Sequence, residues 1–195
     1  MILGISLAAF TKMHVILSAL GIASGLIVLS EMLRGKVAGG WTAIFLATTV
    51  LTSVTGFPIP PFGFDAPRGV GALSLVLLAF AIAALYVFNL ARHWRWIYVV
   101  TAITALYLNC FIAVTQAFQK VPVLHAAAPK QAEPPFLLAQ VVLFVIFVAL
   151  GLFSLARFYP DTGRRSNRAD AKRPTAPTVG VAAPAHRRVR SQRYD

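Results

Sequence analysis

The chain has 195 residues, 58% of them hydrophobic and 12% charged, with a mean hydropathy of +0.74. A soluble globular domain carries about 45–50% apolar and about 25% charged residues, so this composition argues against an ordinary cytosolic fold. The formal net charge of +12 is unevenly placed, with ten Lys/Arg against three Asp from Arg157 to Asp195 and eight basic against three acidic residues before it. An apolar body with a basic extension points to an integral membrane protein.

Crossing about 30 Å of hydrocarbon takes about 20 mostly apolar residues as a helix. Met1–Phe10 is apolar, but no basic stretch precedes it and Lys12 and His14 interrupt the run, a poor match to a cleaved signal peptide. Either the first helix starts early and overshoots the bilayer, or residues 1–11 lie along its surface. The first span is expected from His14 to Met32. His14, Ser18, Gly21 and Gly25 follow at spacings of four, three and four, which puts them on one helix face. Small residues on that face let a second helix approach closely, so Ser18, Gly21 and Gly25 read as packing positions.

A second span, Trp41 to Phe57, is short and rich in hydroxyls, Thr48 and Thr52 among them. In lipid those groups must bond to a carbonyl one turn back or to another helix. The expectation is a helix inside the bundle, meeting lipid only through Ile44, Phe45, Val50 and Leu51. The connection Phe57–Gly69 holds four prolines and is expected to be non-helical. Val70 to Leu90 forms the third span. His93 then stands among Arg92, Trp94, Arg95 and Trp96, a cluster suited to the headgroup level.

The fourth span, Trp96 to Phe118, has the most polar face. Asn109 and Gln116 follow helical spacing, Gln119 lies one turn onward, and Gln140 in the fifth span is a candidate partner. Such amides join helices or line a polar cavity for a small ligand. Gln119 to Pro135 reads as a loop carrying His125, and Glu133-Pro-Pro starts the final span, Phe136 to Phe158. Residues 159–195 lack periodicity and cannot bury enough surface to offset their ordering entropy, so a disordered basic tail is expected.

Basic residues close to span ends mark the cytoplasmic side. Arg34, Lys36, Arg92, Arg95 and the ten from Arg157 onward fall on one side; Lys12, Arg68, Lys120 and Lys130 fall on the other. The expected fold is therefore an all-α, five-transmembrane-helix bundle over residues 1–158, N-terminus out and C-terminus in. The tail faces anionic lipid headgroups, each basic residue adding about 1 kcal/mol near the surface. No sequence-specific nucleic-acid contact is expected.

His14 and His125 both fall on the outer side, where two imidazoles could ligate a b-type haem or a metal ion. Cys110 stands alone, so neither an intrachain disulfide nor a multi-cysteine metal site can form. No span carries Asp or Glu at its centre, unlike proton- or cation-coupled transporters, and HExxH, Walker-A and GxSxG patterns are missing.

His14 at the start of a helix, the basic turn around Arg34 and Lys36, Trp41 and the Thr-rich second span resemble a loosely defined group of small polytopic bacterial membrane proteins of unknown function. That group pairs a first-span histidine with a His-containing turn; here the turn Leu33–Gly40 holds none. The resemblance implies a bacterial inner membrane. The leading expectation is a non-enzymatic accessory, assembly or scaffold protein, working as a homo-oligomer or with a membrane-protein partner. A haem- or metal-binding redox protein and an oligomeric small-solute permease are the alternatives.

Overall fold

Ser6 opens the first helix by accepting a hydrogen bond from the Ala9 amide at 3.3 Å, which satisfies one of the donors every helix start leaves over. In the computed structural model, which describes residues 4–60 and 66–159, this helix, α1, runs Leu7–Leu33. At 1.5 Å per residue it is about 40 Å long, more than a bilayer core needs. Of the two expectations for the chain start, the early helix is the one found. Gly35, with φ +75°, then turns the chain in a conformation that side-chain-bearing residues rarely adopt.

The remaining helices are α2 (Gly39–Gly56), α3 (Ala66–Ile82, prolonged by a π-helical turn at Ala83–Val87), α4 (Trp94–Lys120), α5 (Pro122–Ala127) and α6 (Pro134–Arg157). The described residues are otherwise turns and connections. Four of these elements are long and apolar enough to cross a membrane: α1, α3 with its π turn, α4 and α6. Helix α2, with six hydroxyls, is not among them.

Three expectations about where elements begin, end or lie need correction. The connection to the third span is helical from Ala66, because Pro67 falls in the first turn, where its missing N–H costs nothing. That span also ends earlier, at Val87, where the π turn gives way to residues with positive φ at Asn89, Leu90 and Arg92. His125 lies on the short helix α5, which Pro122 begins, and not in a loop. The basic tail beyond Tyr159, and residues 61–65 of the proline-rich connection, lie outside the described residues.

Helix α4 is the hub, packing against α1, α3, α5 and α6, while α2 packs between α1 and α3. Its Val99, Ala102, Ala105 and Leu106 are buried with Val28 and Met32 of α1, Phe45 of α2 and Phe147 of α6. Phe45, expected to meet lipid, is instead 1% exposed, whereas Ile44 and Leu51 are 44% and 48% exposed. The reason is Gly25. A methyl group there would stand 2.5 Å from Leu106 Cδ1 and 2.9 Å from the Phe45 ring, so the missing side chain is the space into which both residues pack.

The two ends of the bundle differ. At one, Arg34 pairs with Glu31 at 2.8 Å, and Gly35 approaches the Arg157 carbonyl so closely that a methyl would meet it at 3.0 Å. There too Arg95 donates to the Phe158 carbonyl, and its guanidinium lies 3.8 Å from the centre of the Tyr159 ring. The opposite end collects the start of α1, the end of α2, the start of α3 and the end of α4.

Gly25→Ala should lower thermal stability in detergent by about 1–3 kcal/mol through overpacking. Gly151→Ala, whose added methyl finds its nearest neighbour only at 4.0 Å, should leave the melting curve in place. Equal melting of the two variants would contradict the close approach of α1, α2 and α4.

Candidate functional site

At the end of the bundle opposite Arg34, helices α1 to α4 enclose a cavity of about 820 Å³. Its walls alternate in character. Val15, Ile22, Val70, Leu108 and Ile112 supply apolar surface, and Ser18, Thr52, Ser53, Ser74, Asn109 and Gln116 supply polar atoms. His14, Arg68 and Lys120 bring basic groups from three different helices. Among the described residues, no carboxylate lines it.

Each group reaches the cavity for a local reason. Thr55, one turn from the end of α2, donates its hydroxyl proton to the Leu51 carbonyl at 2.7 Å, a back-bond that removes an otherwise unsatisfied donor from an apolar setting. Its oxygen can then only accept, and His14 Nδ1 lies 2.9 Å away. The back-bond therefore favours the tautomer with a proton on Nδ1, directed at Thr55. That leaves Nε2 without a partner among the described residues, on a side chain that lines the cavity. Gly56 stands beside the ring, 3.5 Å from His14 Cε1 to a would-be methyl, and its small size leaves the imidazole room.

Lower in the cavity, Asn109 Nδ2 donates to Thr49 Oγ1 at 3.3 Å. A methyl at Gly21 would sit 3.2 Å from that oxygen and 3.5 Å from the amide nitrogen. Gly21 thus admits a polar link between α2 and α4 behind α1. Thr48, 3.4 Å from the same point, back-bonds to the Ile44 carbonyl at 2.7 Å. Thr52 is buried, and its hydroxyl has no hydrogen-bond partner among the described residues.

The rim is built from Arg68 and the end of α4. Arg68 is buried and donates to the carbonyls of Phe57 at 3.3 Å and Ile59 at 2.5 Å, tying the proline-rich connection to the start of α3. Gln116 donates to Gln119 at 3.2 Å, and Gln119 in turn to Gln131 at 3.4 Å. Gln131 donates to the Thr115 carbonyl at 3.1 Å. Gln140 of α6 reaches α4 on its other face, donating to Thr115 Oγ1 at 3.1 Å and the Phe111 carbonyl at 3.2 Å.

The expected site residues therefore divide. His14, Ser18, Asn109, Gln116, Gln119 and Thr52 share the cavity. Thr48 and Gln140 serve helix contacts beside it, and Gly21 and Gly25 set the helix spacing. His125, exposed on α5, is not part of the cavity lining. Nor do the described residues gather three His, Cys, Asp or Glu side chains at any point. Sequence reasoning missed Thr55 as the partner of His14, and Arg68 as a buried residue. A guanidinium between a proline-rich stretch and an apolar helix was the available signal for the second. No family model matches the chain, and searches of curated proteins and of solved structures return no match.

Nitrogen-15 NMR of the imidazole at alkaline pH should show the proton of His14 on Nδ1. In Thr55→Val, which removes the acceptor, a substantial Nε2–H population should appear. A native spectrum dominated by Nε2–H would contradict this arrangement.

Proposed function

We propose that the chain is a five-span protein of a bacterial inner membrane that acts by binding, holding an amphipathic ligand in the cavity formed by α1 to α4. The observation that carries this reading is the cavity itself. Its volume of about 820 Å³ lies within the range of about 300–1,000 Å³ usual for small-molecule sites, and such sites combine apolar walls with a few placed polar groups. A ligand with a polar head and an apolar tail matches both kinds of surface. The layer of Gly25, Phe45 and Leu106 packs tightly deeper in the bundle, which favours holding a ligand over passing a solute through one protomer. In this role the protein is an accessory or assembly partner, alone or as a homo-oligomer. A haem or metal site would draw on His14 alone within the cavity.

The fifth span is α2. Its eighteen residues extend about 27 Å, close to the hydrocarbon thickness, and it packs between α1 and α3. Orientation follows from charge. Arg34, Lys36, Arg92, Arg95 and Arg157 flank the ends of long helices on one side, and the basic residues of 160–195 follow from there. This is the cytoplasmic side, with the cavity at the outer end. The tail then meets the anionic inner leaflet.

Two experiments test the reading. Fused after Asp195, green fluorescent protein should be bright and alkaline phosphatase inactive; the reverse pattern would overturn the orientation. Mass spectrometry of extracts from protein purified in mild detergent should find a bound amphiphile. Asn109→Leu combined with Gln116→Leu should lower its recovery by about tenfold or more, as expected for two lost hydrogen bonds, with an unchanged elution volume. Unchanged recovery from the double variant would remove the cavity as the binding site.

A further inference from the structure

We infer that the ligand's head is an anion, a carboxylate or phosphate group, held between His14 of α1 and Lys120 of α4 while its apolar tail lies along the walls. This rests on the binding role proposed above and specifies its chemistry.

The argument begins with charge. Lys120 lines the cavity and, among the described residues, makes no ion pair. His14 lines the same cavity, near enough to feel the Lys120 charge. Arg68 lines it too, and its hydrogen bonds to the Phe57 and Ile59 carbonyls fix it in place. An anion beside the Lys120 ammonium gains Coulomb attraction and favours a proton on His14, whose imidazolium then holds it from the other side.

Hydrogen-bonding capacity points the same way. With Nδ1 committed to Thr55, His14 has Nε2 left for the cavity. A proton taken up there gives an imidazolium donor aimed at an oxyanion. The Lys120 ammonium provides three donors and no acceptor. Asn109 uses one amide hydrogen on Thr49 and keeps a second. Ser18, Ser53 and Ser74 line the same space and make no hydrogen bond across it among the described residues. Donors of this kind suit a head with several acceptor oxygens, and charge-assisted bonds to it are about twice as strong as neutral ones. Val15, Ile22, Leu108 and Ile112 then match a hydrocarbon tail and give a free inorganic anion nothing to gain.

Equilibrium binding to the full-length protein in dodecyl maltoside provides the test, with oleate, oleyl alcohol and inorganic phosphate as probes. Oleate should bind about tenfold more tightly than oleyl alcohol, the factor expected for one charge-assisted hydrogen bond. In Lys120→Gln the preference should fall to about threefold or less, with affinity for the alcohol unchanged. His14→Gln should act likewise. Equal binding of acid and alcohol by the native protein would overturn the anionic head and leave the cavity reading standing. Binding of neither would overturn both. Inorganic phosphate competing as well as oleate would show an anion site without a role for the tail, and would overturn the amphiphile. Lys12→Gln, altering an exposed residue outside the cavity lining, controls for net charge and should leave the preference intact.

Discussion

The contact on which the rest of the bundle depends is the approach of α1 to α2 and α4 at Gly25. Lipid tails are as apolar as leucine, so helices gain nothing merely by hiding apolar surface from lipid, and close van der Waals packing must hold them. Gly25 allows it, because Phe45 and Leu106 occupy the volume a side chain would fill. One helical turn away, Gly21 extends the same approach to a polar pair, Asn109 and Thr49. Further along α1, from Ser18 to His14, the helices no longer fill the space between them, and the cavity begins there.

Polar groups in such a bundle follow a second rule, that a partner within the protein is strongly favoured, with the Thr52 hydroxyl an exception among the described residues. Thr48, Thr55, Thr101 and Thr115 all turn their hydroxyls back on carbonyls of their own helices. This choice has an effect beyond self-satisfaction. A threonine that has donated its proton becomes a pure acceptor, and that favours hydrogen on Nδ1 of His14, with Nε2 left for the cavity.

Much of the fold was legible because apolar length is the dominant signal in a chain whose helices are long and apolar enough to cross a membrane. The four longest helices lie close to where hydropathy puts them, and the spacing of His14, Ser18, Gly21 and Gly25 identified the inward face of α1. Phe45 was misread because hydrophobicity does not distinguish a residue facing lipid from one facing a glycine. The start of α3 was misread because proline was weighed as a breaker, although the first turn tolerates it. The candidate site was legible in its members more than in its connections. Thr55 could have been found from the hairpin itself. In two antiparallel helices joined by a tight turn, partners lie at equal distances from that turn, as Gly25 with Phe45, Gly21 with Thr49 and His14 with Thr55 do. Arg68 escaped because its partners are backbone carbonyls of an irregular segment, which leave no pattern in residue type.

The grip of Arg95 on the end of α6 has a mechanical consequence. Its guanidinium holds the Leu155 and Phe158 carbonyls and the Tyr159 ring at the point where the chain leaves the last helix. Tension on the polypeptide beyond Tyr159 is shared between the α6 backbone and a side chain rooted in the first turn of α4. The same helix carries Asn109, Gln116 and Lys120 further along. A tug at one end of the bundle therefore loads the rod on which the cavity's amides and its lysine are mounted.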